Sequence, residues 1–292
     1  MCNGYVQSAF LLIIEKSSYL EGFFSALMRL KLYLSILILF SVITLTAKGE
    51  NFVSDSVCYK ILPTEKHVKI VGCNKKDVTI LIPDSVYYKG KTFIISEIDY
   101  WAFDNCTNAK HVHFPATCLN IGNGIFRYCP VLEKITVDSE NPAYKDIDGV
   151  MFSRMGHDLI CYPRNKTNKT YIIPQGTKKI CDSAFFECKH LEKVDMPQSM
   201  CSIGNSAFTG CSQLKSINIP PLVRRIPNYA FYNCMKLDTI FVSNPFMEFI
   251  GEYAFSYSSW KEANILIPNH TIEAFRKNKY WSRFSHFIMI NP

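Results

Sequence analysis

The sequence predicts a β-rich repeat solenoid, with a parallel sheet on one side, short 3₁₀ or turn segments on the other, and a cap at each end. A phenylalanine recurs after a small or aliphatic residue at Phe103, Phe126, Phe185, Phe208, Phe231 and Phe255. The spacings between neighbours are 23, 59, 23, 23 and 24 residues, so one period dominates and one long insertion interrupts it. Alternating polar and apolar residues, typical of strands, recur with the same period.

The repeat unit is clearest at residues 218–240. It contains, in order, Ile219-Pro220, Val223, Ile226, Ala230-Phe231, Cys234, Leu237 and Ile240. Ile217 and Ile219 alternate with polar residues, which predicts a strand that Pro220 ends because proline has no N–H to donate. The Ala-Phe-x-x-Cys stretch is too short for a full helix and predicts a tight or 3₁₀ turn. The recurring phenylalanine is expected to stack in the core on the phenylalanine of the next coil.

Over residues 52–292 these residues resemble leucine-rich repeats of the BspA-like type, found mainly in surface and secreted proteins of anaerobic bacteria. The resemblance is carried by the Leu-x-x-Ile-x-Ile-Pro run, the Ile-Gly turn, the Ala-Phe pair and the cysteine, which recur in order. Cys181 and Pro227 replace the turn glycine, and Ser258 replaces the cysteine. The resemblance implies adhesion to host or bacterial surface proteins.

Five of the twelve cysteines fall three residues after a repeat phenylalanine: Cys106, Cys129, Cys188, Cys211 and Cys234. A shared slot predicts a buried ladder of free thiols, because equivalent side chains on stacked coils do not cross as a disulfide requires. The positions of five others are irregular, and a single bridge among them stays open: Cys58, Cys73, Cys161, Cys181 and Cys201.

The amino-terminal residues predict export. Met28, Arg29 and Lys31 precede an uncharged apolar run at 32–45, followed by small and then polar residues. This is the order of a secretory signal peptide, here residues 28–47, with cleavage near Ala47. The run is short for a membrane span, so we expect no stable span after cleavage, although a retained anchor stays open. Residues 1–27 are interpreted as an upstream extension outside the native protein, which itself starts at Met28.

The remaining chain divides into three predicted parts. Residues 48–97 form an amino-terminal β cap, with short strands and a hairpin that turns near Gly90. Residues 98–268 are the leucine-rich repeats, with a β-hairpin insert at about 138–170. Residues 269–292 form a carboxy-terminal helical cap, with Thr271 as the helix N-cap.

The residues do not predict an enzyme or a cofactor. His111 and His113 have a spacing that can chelate a metal ion, but no third ligand accompanies them. The pairs Cys58 with His67 and Cys161 with His157 lack a third, orienting group. The formal net charge is +7, and its scattered basic residues fit anionic partners better than nucleic acid, which needs a basic stripe with interleaved aromatics.

The outward positions of the predicted sheet form the candidate binding face. They are His111, His113, Lys134, Thr136, Lys193, Asp195, Ser216, Asn218, Thr239, Phe241 and Leu266. They change from basic and polar to apolar toward the carboxy terminus, so Phe241 and Leu266 either anchor a ligand or merely cover the next strand. We expect a secreted or cell-surface monomer that binds an extracellular protein or glycan. A structural subunit of the cell envelope or surface layer is the alternative.

Overall fold

The computed structural model describes residues 49–104 and 106–290. The expected signal peptide and the extension before it lie outside the described residues. Within the described part of the chain, no helix combines the length and apolar character needed to cross a membrane.

The amino-terminal segment is built from short strands. They are β1 (Asn51–Ser54), β2 (Val57–Ile61), β3 (His67–Cys73), β4 (Thr79–Leu81), β5 (Ser85–Tyr88) and β6 (Lys91–Ile98). Strands β1, β2 and β3 pair antiparallel, and β6 then adds parallel to β3. The hairpin predicted near Gly90 is confirmed between β5 and β6. Its loop residues Lys89 and Gly90 have φ of 49° and 79°, as a two-residue hairpin turn requires.

The repeats and the carboxy-terminal segment contribute the other strands, all two to five residues long. They are β7 (His111–Phe114), β8 (Asn120–Ile121), β9 (Lys134–Val137), β10 (Tyr144–Ile147), β11 (Val150–Ser153), β12 (Asp158–Cys161), β13 (Thr170–Ile172), β14 (Lys179–Ile180), β15 (Lys193–Asp195), β16 (Ser202–Ile203), β17 (Ser216–Ile219), β18 (Arg225–Ile226), β19 (Thr239–Val242), β20 (Phe249–Ile250), β21 (Asn264–Pro268) and β22 (His286–Ile290).

The predicted solenoid is confirmed, with strands of successive coils pairing in parallel. The long strands form two sheets in the orders β4-β7-β9 and β13-β15-β17-β19-β21-β22. The two-residue strands form further short parallel ladders, for example β14 with β16, which continue from β12. The isoleucine of the Ile-Gly turn lies in these short ladders, as Ile203 before Gly204 illustrates by pairing with Ile180. The sequence indicated only a turn there, because a two-residue strand is too short to show an alternating pattern.

Close approach between coils explains the glycine that follows this isoleucine. A Cβ on Gly204 would lie 2.5 Å from the backbone nitrogen of Asp182 and 2.6 Å from the carbonyl carbon of Cys181. Backbone atoms of the preceding coil cannot move aside as a flexible side chain can. Only glycine, which has no Cβ, therefore fits between the two coils at this position.

Gly204→Ala is expected to lower the free energy of unfolding by about 1–3 kcal/mol, since the added methyl group forces neighbouring coils apart. Urea denaturation followed by circular dichroism measures the loss. Gly72→Ala is the control, because a Cβ there meets only Cys58, at ordinary contact distances of 3.6 and 3.8 Å. Equal stability of the two variants would contradict the close-approach argument.

The repeat phenylalanines stack through the core of the carboxy-terminal coils. Successive ring centroids from Phe185 through Phe208 and Phe231 to Phe255 are 4.7, 5.1 and 5.2 Å apart, with interplanar angles of 9°, 10° and 12°. Hydrogen bonds join the same coils on the turn side, where Phe208 N–H donates to the carbonyl of Ala230 at 2.7 Å. Aromatic stacking and backbone pairing therefore repeat together.

The long interval between Phe126 and Phe185 contains a coil whose aromatic residue is tyrosine. The Tyr162 ring stacks on Phe185 at 5.1 Å, and the sequence separation of these two residues is the usual 23. Among the described residues, no ring contact joins Tyr162 to Phe126, which instead packs on Phe103 at 5.2 Å. The expected continuous stack is thus broken once. The buried apolar residues likewise form two clusters that meet at Val150 to Phe152.

The cysteines of the shared slot are free thiols, and all five are buried, as predicted. Each thiol points to a carbonyl of the preceding coil. Sγ of Cys129 donates to the carbonyl of Phe103 at 3.1 Å, Cys211 to Phe185 at 3.0 Å, and Cys234 to Phe208 at 3.1 Å. Cysteine suits this slot because it is small and apolar yet carries a weak S–H donor.

The insert contains a hairpin, and the carboxy-terminal segment combines short helices with a strand. Strands β11 and β12 pair antiparallel, which forms the hairpin expected within the insert at about 138–170. Near the carboxy terminus lie helix α1 (Tyr257–Glu262), helix α2 (Ile272–Lys277) and a 3₁₀ helix (Trp281–Arg283). Thr271 stands at the N-cap of α2, but its hydroxyl donates to the carbonyl of Pro268 at 2.7 Å and does not cap the helix. Strand β22, which the sequence did not predict, then pairs parallel to β21.

Candidate binding face

The amino-terminal part of the candidate face lies on the sheet of β4, β7 and β9. The parallel register places Thr79 beside His111 and Lys134, and Leu81 beside His113 and Thr136. Val112 and Phe114, the alternate residues of β7, are fully buried. The outward direction expected for both histidines follows from this alternation.

Both histidines bond to one hydroxyl. Nε2 of His111 lies 2.7 Å and Nδ1 of His113 lies 2.9 Å from Oγ1 of Thr136. Partial burial, and then the nearby charge of Lys134, lower the pKa of His111, which favours its neutral form. Within the described chain, no three His, Cys, Asp or Glu side chains are grouped to hold a metal ion. The two imidazoles and Thr136 make a polar patch on this sheet.

The carboxy-terminal part of the face lies on the sheet from β13 to β22. One outward row contains Thr170, Lys193, Ser216, Thr239, Asn264 and His286, and the other contains Ile172, Asp195, Asn218, Phe241, Leu266 and Ile288. Every candidate residue after Thr136 falls in one of these rows. The period-two alternation that located them also keeps Val194, Ile217 and Ile240 in the core.

Polar candidates on this sheet already bond to other groups of the protein. Nζ of Lys193 lies 2.9 Å from the Asp195 carboxylate on the same strand. The Asn218 side chain donates to the carbonyl of Met196 at 3.1 Å and accepts from the Met196 N–H at 3.0 Å. Asn218 thus satisfies the backbone of the neighbouring coil, and less of its amide is left for a ligand.

The carboxy-terminal edge of the face is apolar, and we call Phe241, Leu266 and Ile288 the apolar end. Register places these three side chains side by side on β19, β21 and β22. Phe241 is 37% and Ile288 45% exposed, while Leu266 is half-buried. The sequence located Phe241 and Leu266 but missed Ile288, because the repeat pattern does not extend to β22. Adjacent exposed apolar side chains are the feature of this face best suited to binding.

The candidate residues lie on two hydrogen-bonded sheets. Strands β4, β7 and β9 form one sheet, and strands β13, β15, β17, β19, β21 and β22 form another. Strands β10 and β11 of the insert contact β9, and the Ile135 N–H donates to the carbonyl of Gly149 at 3.0 Å. The hairpin insert therefore occupies the side of β9 on which the next coil would pair.

The cysteine and histidine considered as a nucleophile and base are separated on β2 and β3. Register places Cys58 opposite Gly72, while His67 lies five residues away at the other end of β3. Five residues of extended strand span about 16 Å, which is too far for proton transfer between these side chains.

The turn side carries exposed aromatic residues that the sequence interpretation did not single out. Trp101 and Tyr229, each two residues before a repeat phenylalanine, have φ of 58° and 62° and are 56% and 43% exposed. Bulky residues rarely adopt this left-handed conformation. Tyr229 also stacks on Tyr253 at 5.4 Å with an interplanar angle of 6°. Aligning the repeats two residues before the phenylalanine gives Trp101, Tyr229 and Tyr253, with glycine or serine in the other three copies.

Solved structures that resemble this one are leucine-rich repeat proteins. The structure is similar to a leucine-rich repeat protein from Eubacterium ventriosum, with 14% identity, a TM-score of 0.50, and coverage of 75% of this chain and 85% of that chain. It is also similar to a leucine rich cell surface protein from Faecalibacterium prausnitzii, with 19% identity, a TM-score of 0.44, and coverage of 75% and 94%. At such identities the likeness concerns the fold alone.

Sequence comparison identifies the family. A search of curated proteins gives no match. The model of the BspA type leucine rich repeat region matches six copies over residues 91–157 and 160–281. Because these copies cover more than half of the chain, the protein belongs to the family of BspA-type leucine-rich repeat proteins.

Proposed function

We propose that the protein is an exported, non-enzymatic leucine-rich-repeat module that binds an extracellular protein or glycan through its sheet face, as an adhesin does. Its parts would be the leader at 28–47, the β cap at 48–97, the repeats at 98–268 and the terminal cap at 269–292. Membership in the BspA-type family and the signal-like order of residues 28–47 support a place at the cell surface.

The apolar end is the observation that carries this proposal. Its three side chains lie side by side, and polar outward residues, Thr239, Asn264 and His286, occupy the row next to them. An exposed apolar centre with a polar rim is the usual anatomy of a protein interface. Such a centre supplies most of the binding free energy once a partner covers it.

Replacing Phe241 by glutamate is expected to weaken ligand binding about 30-fold, because a charge would be desolvated at the centre of the contact. The ligand is first identified on arrays of extracellular matrix proteins and of glycans, and its affinity is then measured by biolayer interferometry. Ile172→Glu is the matched control, since Ile172 is 68% exposed in the same row, on β13 at the opposite end of this sheet. Circular dichroism verifies that both variants fold. Undiminished affinity of Phe241→Glu would refute binding at the apolar end.

A structural subunit of the cell envelope is the second candidate, and the last strand favours it. Among the described residues, β22 pairs only with β21, so its other edge is open. Ile288 and Met289 on β22 are 45% and 54% exposed. An open edge with apolar side chains can pair with a second copy of the chain. Concentration-dependent assembly in light scattering, lost when Met289 becomes lysine, would favour this role over recognition of a foreign ligand.

A further inference from the structure

The position two residues before each repeat phenylalanine lies on the turn side, and in five copies its backbone is left-handed. The φ values are 58° at Trp101, 66° at Gly124, 58° at Ser183, 54° at Ser206 and 62° at Tyr229. This conformation suits glycine and is rare for bulky residues. Because small residues occupy the middle copies, the turn itself does not require an aromatic side chain. The two exposed aromatic residues at this position therefore have a reason other than folding.

Contacts between coils place these five residues in one row. A Cβ on Gly124 would lie 3.6 Å from Nε1 of Trp101 and 3.7 Å from Cβ of Ser183. A backbone hydrogen bond of 3.0 Å then joins Ser183 to the coil of Ser206, and one of 3.4 Å joins Ser206 to the coil of Tyr229. Four coil spacings of about 4.8 Å place the two aromatic residues about 19 Å apart. We call the three small residues between them, Gly124, Ser183 and Ser206, the turn trough.

Tyr229 ends the turn trough with an open ring face. One face of its ring lies on Tyr253, with centroids 5.4 Å apart and an interplanar angle of 6°. The opposite face looks toward the coil of Ser206, whose side chain is too short to cover a phenol ring. Tyr229 is accordingly 43% exposed, and Trp101 at the other end of the trough is 56% exposed.

A polar row runs beside the turn trough, since Asn123, Asp182, Asn205 and Asn228 each precede a member of the first row. One oxygen of Asp182 accepts from the Asn205 N–H at 2.8 Å, and the other accepts from the Asn123 amide at 3.4 Å. Asn205 and Asn228 are exposed, and neither side-chain amide bonds to another described residue. These two amides can each donate and accept toward a ligand.

This combination of groups matches an uncharged oligosaccharide. The C–H face of a sugar ring stacks on an aromatic ring, and its hydroxyls donate and accept as amides and serine hydroxyls do. Neither row contains a lysine or arginine, so nothing in them selects an anionic ligand. A protein partner would need an apolar centre, but the positions between the two aromatic residues include no aliphatic side chain.

We propose that the turn trough binds an uncharged oligosaccharide, with one sugar ring stacked on the open face of Tyr229 and hydroxyls bonded to Asn205 and Asn228. Trp101 stacks on a more distant sugar of the same ligand. The site lies on the turn side and does not depend on the binding proposed for the sheet face, so either proposal can fail alone.

An array of uncharged glucose, mannose, galactose, xylose and N-acetylglucosamine oligosaccharides identifies the ligand, and isothermal titration calorimetry measures its affinity for the full chain. Tyr229→Ser and Trp101→Gly introduce residues that other copies carry at this position, so both variants are expected to fold. Each should weaken binding at least about tenfold, because a stacking surface is lost. Ser206→Tyr, which covers the open face of Tyr229, should weaken binding as much.

Tyr87→Ser is the matched control, because it removes a tyrosine that is 69% exposed on β5, and it should leave the affinity unchanged. Phe241→Glu should leave it unchanged too, since it alters the sheet face alone. Undiminished affinity in either aromatic variant, or an array that captures no uncharged oligosaccharide, would overturn the proposal. If Tyr229→Ser instead abolishes capture of a protein and no sugar binds, the turn trough is a protein interface and the proposal is wrong.

Discussion

Replacing Phe208 by alanine is expected to lower the free energy of unfolding by about 3–5 kcal/mol. The side chain is fully buried, and its ring stacks on Phe185 at 4.7 Å and on Phe231 at 5.1 Å. Truncation removes the apolar surface and both ring contacts, and the hydrogen-bonded turn around it prevents the coils from closing on the cavity. The loss is near the top of the range for large-to-small changes, because the site has little freedom to collapse.

Urea denaturation followed by far-UV circular dichroism measures this loss. Phe246→Ala is the matched control, because it makes the same chemical change at a side chain that is 73% exposed, and it should cost no more than about 0.5 kcal/mol. If the two variants unfold at the same urea concentration, the stacked rings do not stabilise the solenoid.

The phenylalanine stack was predictable from sequence because the same core position of successive coils is occupied by the same residue. Tyr162 escaped notice since its coil departs from the pattern and lies 36 residues after Phe126, although counting 23 residues back from Phe185 reaches it. The break in the stack follows from the insert, whose strands pack on β9. That packing is a long-range contact, and no local pattern encodes it.

The outward positions of the candidate face were also predictable, because successive side chains of a strand point alternately into the core and toward solvent. The contacts that those side chains make were not. The two hydrogen bonds of Asn218 to Met196 join residues 22 positions apart and depend on how two coils stack. Strand β22 was missed for the same reason, since its identity as a strand depends on pairing with β21.

Asn141 shows how one buried polar residue fixes the insert to the repeats. It is fully buried, and its amide nitrogen donates to the carbonyls of Pro115 at 2.8 Å and Cys118 at 2.9 Å. Its side-chain oxygen accepts from the N–H groups of Ala143 at 2.9 Å and Tyr144 at 2.8 Å. Each polar group is satisfied, so the side chain holds the start of the insert against the preceding coil.

Asn141→Asp is expected to lower the free energy of unfolding by about 3–5 kcal/mol at pH 8, although the two side chains have nearly the same shape. The carboxylate still accepts from Ala143 and Tyr144, but it now faces two carbonyl oxygens without a donor. Burial and these oxygens raise the pKa of the new carboxyl in the folded state above its unfolded value of about 3.9. The penalty is therefore full above the folded-state pKa and shrinks as the pH falls toward the unfolded value.

Urea denaturation at pH 8 and pH 5 tests whether the penalty shrinks on acidification. The difference in stability between Asn141→Asp and the unchanged protein should be smaller at pH 5, because the protonated carboxyl can donate to one carbonyl. Asn278→Asp is the control: Asn278 donates to Pro245 and Met247 and accepts from Tyr280 and Trp281 in the same way, but it is only half-buried. Its loss should be smaller and less dependent on pH, since water can solvate the charge. A penalty for Asn141→Asp that grows on acidification would show that the buried donor pair is not what fixes the insert.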